Sequence, residues 1–356
     1  MRHAPREVSL ELRPQARFDL IDVADQLRVK LGDVLARFPR ALYCSHHTTA
    51  GYLEQSLCAR LRHSRERVNS FVQVFHRLFP SEADYQHDNL PLREELSAHQ
   101  REREPRNAAS HLTFIGSGLR NCATYANRPD LPVYFIDLDG VNHTERRLRR
   151  TTVVGYHQER IVEQIEFPVT VSRHSVDSIN LKDPRLGLFE QLGHQIQHHG
   201  IASGRVDITL QPGERFAGLT VNEYETLLMR HDLSEVLRNP FRFMAEKGRH
   251  ILQDPFAVPH KALNYAAFDV VHVFNELLDL LRISESKLEQ LLARVTGGAA
   301  SRFLRLRRTV QLPVTSSSNG LRAAIMQGRY QSPILLQWRA AERQSRRLRI
   351  TLIEFE

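Results

Sequence analysis

The chain has few cysteines and no long hydrophobic run, and each lack excludes a class of protein. Three cysteines in 356 residues cannot build a disulfide framework, and their odd number favours reduced thiols and a cytoplasmic location. The segment "MRHAPREVSLELRP" at the N-terminus is charged throughout, so we expect no secretory signal. The most hydrophobic stretch, residues 266–281, contains five polar or charged residues, so we expect no membrane span.

Aromatic residues are also scarce, which bears on the choice of partner. The net charge of +8 and the pI of about 9.7 fit a nucleic-acid-binding protein. The basic residues, however, are mostly arginines interleaved with glutamates, as in "AHQREREPR", and only one Trp is present to stack on bases. Arginines also bind phosphorylated small molecules, and we favour that partner over nucleic acid.

The two halves of the chain share short segments in the same order. Ala50-Gly51 follows a strand-like segment in the first half, and Ala217-Gly218 follows another in the second half, at a spacing of 167. The segment "RRLRRTTVVG" from Arg146 matches "RRLRITLIEF" from Arg346 at a spacing of 200. Because both matches keep their order along the chain, the sequence predicts a tandem duplication.

The predicted domains are residues 1–160 and 161–356, with a boundary between Gly155 and Val169. Each opens with a strand, continues into a helix and closes with strands, which predicts an α+β fold of layered β-sheets with helices. Apolar residues at helical spacing predict helices over the following ranges: 23–36, 57–75, 188–198 and 227–237. The larger spacing of the second match places a helical insertion in the second half, at about residues 255–295.

Several motifs resemble those of one protein family. In the first half these are "HHTTAGY" from His46, "YQHDN" from Tyr85, "SHL" from Ser110 and "FIDLDG" from Phe135. Together they resemble the YjbQ-type family of secondary thiamine-phosphate synthase-like proteins. The second half resembles the same family through "AGLTVNE" from Ala217 and through a hairpin that ends in Gly-Arg-Tyr-Gln.

The resemblance implies a compact α+β domain that assembles as a trimer, with polar clefts near the subunit contacts. We therefore expect a homo-oligomer or a trimer-like packing of the two repeats. The activity it implies is a transferase reaction that joins a pyrophosphate-activated pyrimidine to a thiazole phosphate.

Each half retains what the other has lost. The first half keeps the three histidine positions of the family: His47, His87 and His111. The second half keeps its amide and acidic positions: Asn222, Glu223 and Gln331. In the second half, Glu214 stands at the position of His47. This complementary loss predicts one composite cleft between the halves, and the alternative is a complete site within residues 1–160.

The retained residues allow two chemical interpretations. Three imidazoles, His47, His87 and His111, are a ligand set for a divalent metal such as Zn²⁺ or Mg²⁺, with a coordination position left open for substrate. The same region is also suited to a phosphate or pyrophosphate group. The histidines, the threonine hydroxyls and the backbone amides at the strand end can hold that group, and four arginines can add bidentate contacts: Arg146, Arg147, Arg149 and Arg150. The residues predicted to bind the cofactor are Thr48, Thr49, Arg147, Asn222 and Glu223. No metal-binding motif of fixed spacing decides between the two interpretations.

Two functions of different classes follow. In the first, the chain is a YjbQ-like enzyme that acts on a phosphorylated small molecule, with His47, Asp137 and Gln331 as catalytic residues. Asp137 matches an acidic position of the family, and it is a candidate acid or base or a partner that supports another site residue. In the second, the chain is a catalytically inactive ligand-binding or interaction protein, whose basic surface contacts nucleic acid.

Overall fold

The computed structural model combines helices with several antiparallel β-sheets, which confirms the predicted α+β class. It describes residues 4–94, 96–128, 130–142, 145–238, 306–316 and 323–356. The predicted helical insertion at about residues 255–295 lies outside the described residues.

The first half contains two main sheets and five helices within its described residues. The strands are β1 (Arg6–Leu12), β2 (Asp19–Asp22), β3 (Arg40–Ser45), β4 (Ala50–Gly51), β5 (Cys122–Ala126), β6 (Tyr134–Asp137), β7 (Val141–Asn142), β8 (Glu145–Arg146) and β9 (Arg149–Tyr156). The helices are α1 (Val23–Leu31), α2 (Gln55–Arg60), α3 (Arg65–Leu78), α4 (Ala98–Arg103) and α5 (Ala108–Ser117). Short 3₁₀ turns lie at Gln86–Asp88 and Leu90–Leu92.

The second half has a similar succession of elements. Its strands are β10 (Glu159–Thr170), β11 (Asp177–Asn180), β12 (Ser203–Leu210), β13 (Ala217–Asn222), β14 (Thr309–Ser316), β15 (Ala323–Ile325), β16 (Ser332–Gln337) and β17 (Ser345–Phe355). Its helical segments are a 3₁₀ turn at Pro184–Leu186, α6 (Leu188–His198), a π-helix at Leu228–Asp232 and α7 (Leu233–Arg238).

The strand order is the same in both halves. The larger sheets have the orders β1-β9-β3-β5 and β10-β17-β12-β14, with β15 added to the second. The smaller sheets have the orders β2-β6-β4 and β11-β16-β13. In these smaller sheets Ala50 lies opposite Asp137, and Ala217 lies opposite Gln337. Ala50 and Ala217 are the residues that the sequence relates at a spacing of 167, and their partners Asp137 and Gln337 hold equivalent places in the two sheets.

Helix α5 lies at the centre of the first half and carries one of the predicted site histidines. All ten of its residues are buried, since its sequence AASHLTFIGS has small or apolar residues on every side. Its first turn is capped by Asp88, whose Oδ1 accepts hydrogen bonds from the backbone N–H groups of Asn107 and Ala108, each at 3.0 Å. It ends at Gly118, which adopts the left-handed conformation with φ 71°.

The main hydrophobic core includes side chains from both halves. Phe71 and Phe75 of α3 and Leu112 of α5 share it with Val236 of α7 and Leu336 of β16. A separate core fills the space between α6 and the strands of the second half. The halves also meet where Tyr156 stacks on Phe355, with ring centroids 4.0 Å apart. Shared packing of this kind fixes how the two halves face each other.

One predicted helix ends earlier than expected. Helix α1 was expected to reach residue 36 but ends at Leu31, because Gly32 adopts φ 64° and leaves the helical conformation. Strand β6 ends at Asp137, and Asp139 lies in the bend that follows it. Within the described residues, no helix combines the length and the apolar character that crossing a membrane requires. The three cysteines are buried thiols without disulfide bonds, as expected.

Candidate functional site

His47 lies in the loop between β3 and β4, and its hydrogen bonds fix its tautomer. Its Nε2 accepts a hydrogen bond from the backbone N–H of Arg150 at 2.7 Å, so the ring proton of the neutral imidazole is on Nδ1. That Nδ1 lies 3.4 Å from Nη1 of Arg149, which is also a donor. Two donors at this distance cannot bond to each other, but both are suited to bind one anionic oxygen.

The charge state of His47 follows from its surroundings. Burial and the neighbouring Arg149 guanidinium lower the pKa of His47 to about 3. The imidazole is therefore neutral at pH 7 and acts as a hydrogen-bond donor through Nδ1.

Arg149 is held in place by Asp137. Its Nε and Nη2 each donate to one carboxylate oxygen of Asp137, both at 2.7 Å, and Nη2 also donates to the carbonyl of Asp139. Asp137 and Arg149 are both buried, and burial raises the pKa of Asp137 while Arg149 opposes that rise. Because both oxygens of Asp137 face the guanidinium, this carboxylate orients Arg149, which is the supporting role among the two expected for it.

The second half holds the His47 loop through Gln331. The side-chain amide nitrogen of Gln331 donates to the carbonyls of Ser45 and His47, at 2.9 and 2.8 Å. Its oxygen accepts from the N–H of Gly328 at 2.9 Å. Gly328 packs so closely that a Cβ there would lie 1.8 Å from the carbonyl oxygen of His46. Gln331 is fully engaged behind the cleft wall, so in this geometry it positions the His47 loop.

A second group of side chains lies beneath the cleft and includes residues from both halves. His87, His111 and Glu223 each offer one ligand atom, and these atoms lie within 4.8 Å of one another. His87 is on a 3₁₀ turn, His111 is on α5, and Glu223 follows strand β13. Among the described residues, these three side chains are spaced closely enough that they could hold a metal ion.

The outer nitrogens of the two histidines are both occupied. Nδ1 of His87 donates to Asp88 at 2.9 Å. Nδ1 of His111 donates to Oδ1 of Asn222 at 2.6 Å, and Asn222 in turn donates from Nδ2 to the carbonyl of Thr48 at 3.2 Å. Both imidazoles therefore direct an Nε2 lone pair into the cluster. Partners of this kind on Nδ1 are typical of histidines that bind metals.

The innermost atoms of the cluster are all acceptors. Nε2 of His111 is buried, has no hydrogen-bond partner among the described residues, and lies 3.6 Å from Oε2 of Glu223. Burial, together with the nearby His87, holds the pKa of His111 well below its ordinary value. Burial also raises the pKa of Glu223, and the charge of Arg93 opposes that rise. A proton or a metal cation between Nε2 and Oε2 would satisfy both atoms.

Arg93 supplies a positive charge at the edge of this cluster. Its guanidinium is buried, with Nη1 at 3.4 Å from Nε2 of His87 and Nη2 at 3.6 Å from Oε1 of Glu223. The guanidinium compensates part of the negative charge of Glu223, and it competes with a metal for the Nε2 lone pair of His87.

A cleft of about 450 Å³ is lined by His47 and Arg149 and, from the cluster, by Glu223, while His87 and His111 are buried. Its polar lining comes from His46, His47, Thr48, Thr49, Glu104, Asn107, Asn142, Glu145, Arg147, Arg149 and Glu223. Its apolar rim comes from Leu96, Pro105, Leu148 and Tyr330. Arg147 pairs with the buried Asp139 at 3.0 Å, which directs it along the cleft wall. The cleft size is within the range of small-molecule sites.

The structure brings most of the expected site residues together, but Glu223 stands beside His87 and His111 where His47 was expected. His87 and His111 meet, but His47 is not part of their cluster, because its ring nitrogens face Arg149 and the backbone of Arg150. Glu223, expected to bind the cofactor, completes the group in its place. Thr48, Thr49 and Arg147 line the cleft as expected, whereas Asn222 is buried behind it.

Some residues of the site could not be found from the motifs. Arg93 lies in a segment without a recognised pattern, and only the fold brings it to His87. Asn107 donates to Asp139 at 3.0 Å and lines the cleft, although its one sequence signal is its place before a helix.

Comparisons with known proteins find similarity to solved structures. No family model matches the chain, and no curated protein matches it. Among solved structures, a YbjQ-like protein of unknown function from Sulfolobus solfataricus P2 is 13% identical with a TM-score of 0.31, covering 55% of this chain and 99% of that one. A hypothetical protein from Aeropyrum pernix K1 is 11% identical with a TM-score of 0.31, covering 54% and 99%. An uncharacterised conserved YjbQ-family protein from Clostridium acetobutylicum is 13% identical with a TM-score of 0.25, covering 53% and 98%. The similarity to YjbQ-family proteins expected from the motifs is thus also found among solved structures, and at these TM-scores it carries no inference about activity.

Proposed function

We propose that the chain is a YjbQ-like protein whose cleft binds the phosphate group of a small molecule. The observation that carries this proposal is the pair of donors formed by His47 Nδ1 and Arg149 Nη1, 3.4 Å apart at the cleft wall. Arg147 and the hydroxyl groups of Thr48 and Thr49 lie on the same cleft and supply further donors. Such a set of charged and neutral donors is well suited to phosphate oxygens.

We further propose that His87, His111 and Glu223 hold a divalent cation, for which Zn²⁺ fits best. Two imidazoles and one carboxylate form a common ligand set of zinc sites with an open position. The buried Nε2 of His111 facing Oε2 of Glu223 supports a cation, because the two acceptor atoms otherwise face each other across 3.6 Å. When bound, the cation would supply Lewis-acid polarisation of a phosphate oxygen.

The reaction class that we propose comes from the family resemblance. It is a transfer in which a carbon–oxygen bond to pyrophosphate breaks and a carbon–nitrogen bond to a second, phosphorylated molecule forms. The pyrophosphate leaves with the bonding electron pair. Arg149 and Arg147 would stabilise the charge that develops on the leaving oxygen, and His47 would donate a hydrogen bond to it through Nδ1. Asp137 would keep Arg149 oriented during this step.

We also propose that the two halves arose by tandem duplication, with domains of about 1–160 and 161–356. Beyond the shared strand order, equivalent contacts support a duplication, and they pair Arg346 with Arg149 rather than with Arg146, which the sequence match had paired with it. Arg346 donates to Gln337 and to the carbonyl of Arg339, as Arg149 donates to Asp137 and to the carbonyl two residues later. Glu214 accepts from the backbone N–H of Arg347, as His47 accepts from that of Arg150.

The same comparison explains why one cleft per chain would bind phosphate. In the second half, the carboxylate of Glu214 accepts from Arg346 Nη1 at 3.1 Å. Arg149 Nη1 faces the cleft in the first half, whereas its counterpart in the second half, Arg346 Nη1, is paired with the Glu214 carboxylate. The two halves would then pack like two subunits of a family oligomer, with the working cleft on the His47 side and Glu223 of the second half in its lining.

Binding of inorganic phosphate and pyrophosphate, measured by calorimetry, tests the proposal. His47→Gln keeps an acceptor for the N–H of Arg150 but removes the Nδ1 donor, so we expect an affinity loss of about tenfold, the value of one charge-assisted hydrogen bond. His198→Gln on the exposed surface of α6 is the matched control and should bind like the wild type. Equal affinities in all three proteins would rule out the His47 cradle.

One observation favours the alternative of a binding protein without catalysis. The buried guanidinium of Arg93 lies beside His87 and Glu223, and it gives the cluster a positive charge without any metal. Elemental analysis of the purified protein separates the two functions. Stoichiometric zinc that is lost in a His87→Ala, His111→Ala variant supports the enzyme, and equal low metal content in both supports the binding protein.

A further inference from the structure

Asp232 connects the second half to the backbone of the His87 turn. Its two carboxylate oxygens accept hydrogen bonds from the consecutive N–H groups of Gln86 and His87, each at 2.9 Å. Asp232 is buried, with 3% of its surface exposed. A carboxylate that binds two adjacent backbone donors fixes both the position and the direction of that turn.

The local structure around Asp232 supports this placement. Asp232 is the last residue of the π-helix Leu228–Asp232, and such segments redirect side chains compared with a regular helix. The start of this helical region is fixed by Glu225, whose carboxylate accepts from the N–H groups of Leu227 and Leu228 at 2.9 and 2.7 Å. The carboxylate of Asp232 therefore lies at the end of a helical segment whose start is held by the hydrogen bonds of Glu225.

The backbone and the imidazole ring of His87 are hydrogen-bonded to different halves of the chain. Its backbone N–H is bound by Asp232 of the second half, and its ring Nδ1 is bound by Asp88 of the first half. The ring then lies with its centroid 5.2 Å from that of His111. A shift of the turn would move Nε2 of His87 relative to its partners in the cluster.

We propose that Asp232 is a positioning residue that sets the placement of the His87 imidazole in the cation cluster. This inference rests on the proposed cation site and deepens it, because it makes cation affinity depend on a helix of the second half that does not itself supply a ligand. Removing a residue that orients a metal ligand reduces metal affinity by about 10- to 100-fold.

The test compares the variants Asp232→Asn and Asp232→Ala of the full chain with the wild type. Asn keeps one acceptor but turns an amide nitrogen toward the other backbone donor, so we expect an intermediate effect, with Ala the weaker binder. The matched control is Glu235→Gln, an exposed carboxylate on α7 just beyond the π-helix. The first readout is Zn²⁺ affinity from competition with a chromophoric chelator, with a loss of about 10- to 100-fold expected for Asp232→Ala.

The second readout is amide hydrogen exchange, which does not depend on the metal. Faster exchange at Gln86 and His87, with unchanged exchange at Asn107 and Ala108, is the result expected for a local positioning role. Uniformly faster exchange in all four amides would indicate general destabilisation and overturn the inference. Wild-type Zn²⁺ affinity in both variants would also overturn it.

The two readouts keep the inference separate from the cation site. If the wild type binds no Zn²⁺, the proposed cation site fails, and the exchange result alone decides whether Asp232 holds the His87 turn.

Discussion

Replacing Gln331 by alanine should destabilise the chain strongly, because this one side chain joins the two halves at the site. The substitution removes three hydrogen bonds: two to the carbonyls of Ser45 and His47 and one from the N–H of Gly328. Each buried hydrogen bond of this kind contributes roughly 1 kcal/mol, and Gln331 is 1% exposed, so we expect a loss of about 3 kcal/mol in the free energy of unfolding.

Gln331→Glu separates shape from hydrogen bonding. The carboxylate keeps the acceptor for Gly328 but places an oxygen against the carbonyls of Ser45 and His47, where the amide nitrogen donated before. We therefore expect this nearly isosteric change to cost at least as much as Gln331→Ala, since it buries an unpaired charge or forces the group to bind a proton.

Urea denaturation monitored by circular dichroism measures both effects. The matched control is Gln327→Ala, since the side-chain nitrogen of Gln327 is buried without a hydrogen-bond partner among the described residues. We expect a change below about 1 kcal/mol for this control, because it breaks no such bond. The reasoning is refuted if Gln331→Ala is no more destabilising than Gln327→Ala.

Three further predictions concern the same region. Gly328→Ala places a Cβ against the carbonyl of His46, and we expect a loss of about 1–3 kcal/mol in unfolding free energy together with weaker phosphate binding; wild-type values for both would contradict the close approach. Folding lowers the pKa of His47 from 6.5 to about 3, so between these pH values the unfolded chain binds one more proton and the free energy of unfolding should fall as pH decreases. His47→Gln should reduce the slope of unfolding free energy against pH by about 1.4 kcal/mol per pH unit, and an unchanged slope would show that His47 is not buried as described. Arg149→Met leaves Asp137 buried and unpaired and should cost about 3–5 kcal/mol, part of which a second substitution, Asp137→Leu, should restore in denaturation experiments.

Much of the fold followed from pattern in the sequence. Helix α6 was predicted over residues 188–198 and has these bounds, because its apolar positions repeat at helical spacing and a glycine precedes it. The Ala-Gly repeats at a spacing of 167 lie in strands β4 and β13, which hold equivalent places in the two smaller sheets.

The meeting of the halves was also predictable, but the roles of individual residues were less so. The sequence placed Gln331 and Glu223 near the histidines, as the structure shows. It did not show that Glu223 would take the place expected for His47, because side-chain direction in a loop depends on tertiary contacts such as the one with Arg150. Arg93 and Asp232 were missed altogether, since no local pattern marks them and each has a partner in the other half: Glu223 for Arg93 and His87 for Asp232.

The central claim is that one site is built from both halves, and zinc binding to single-ligand variants tests it most directly. The measurement is the number and affinity of Zn²⁺ ions bound per chain by the wild type, by His111→Ala in the first half and by Glu223→Ala in the second. We predict one Zn²⁺ per wild-type chain and a large loss of affinity in both variants, because each removes a ligand of the same cluster. Full Zn²⁺ affinity in Glu223→Ala, with a loss in His111→Ala alone, would contradict the composite site and place it within the first half.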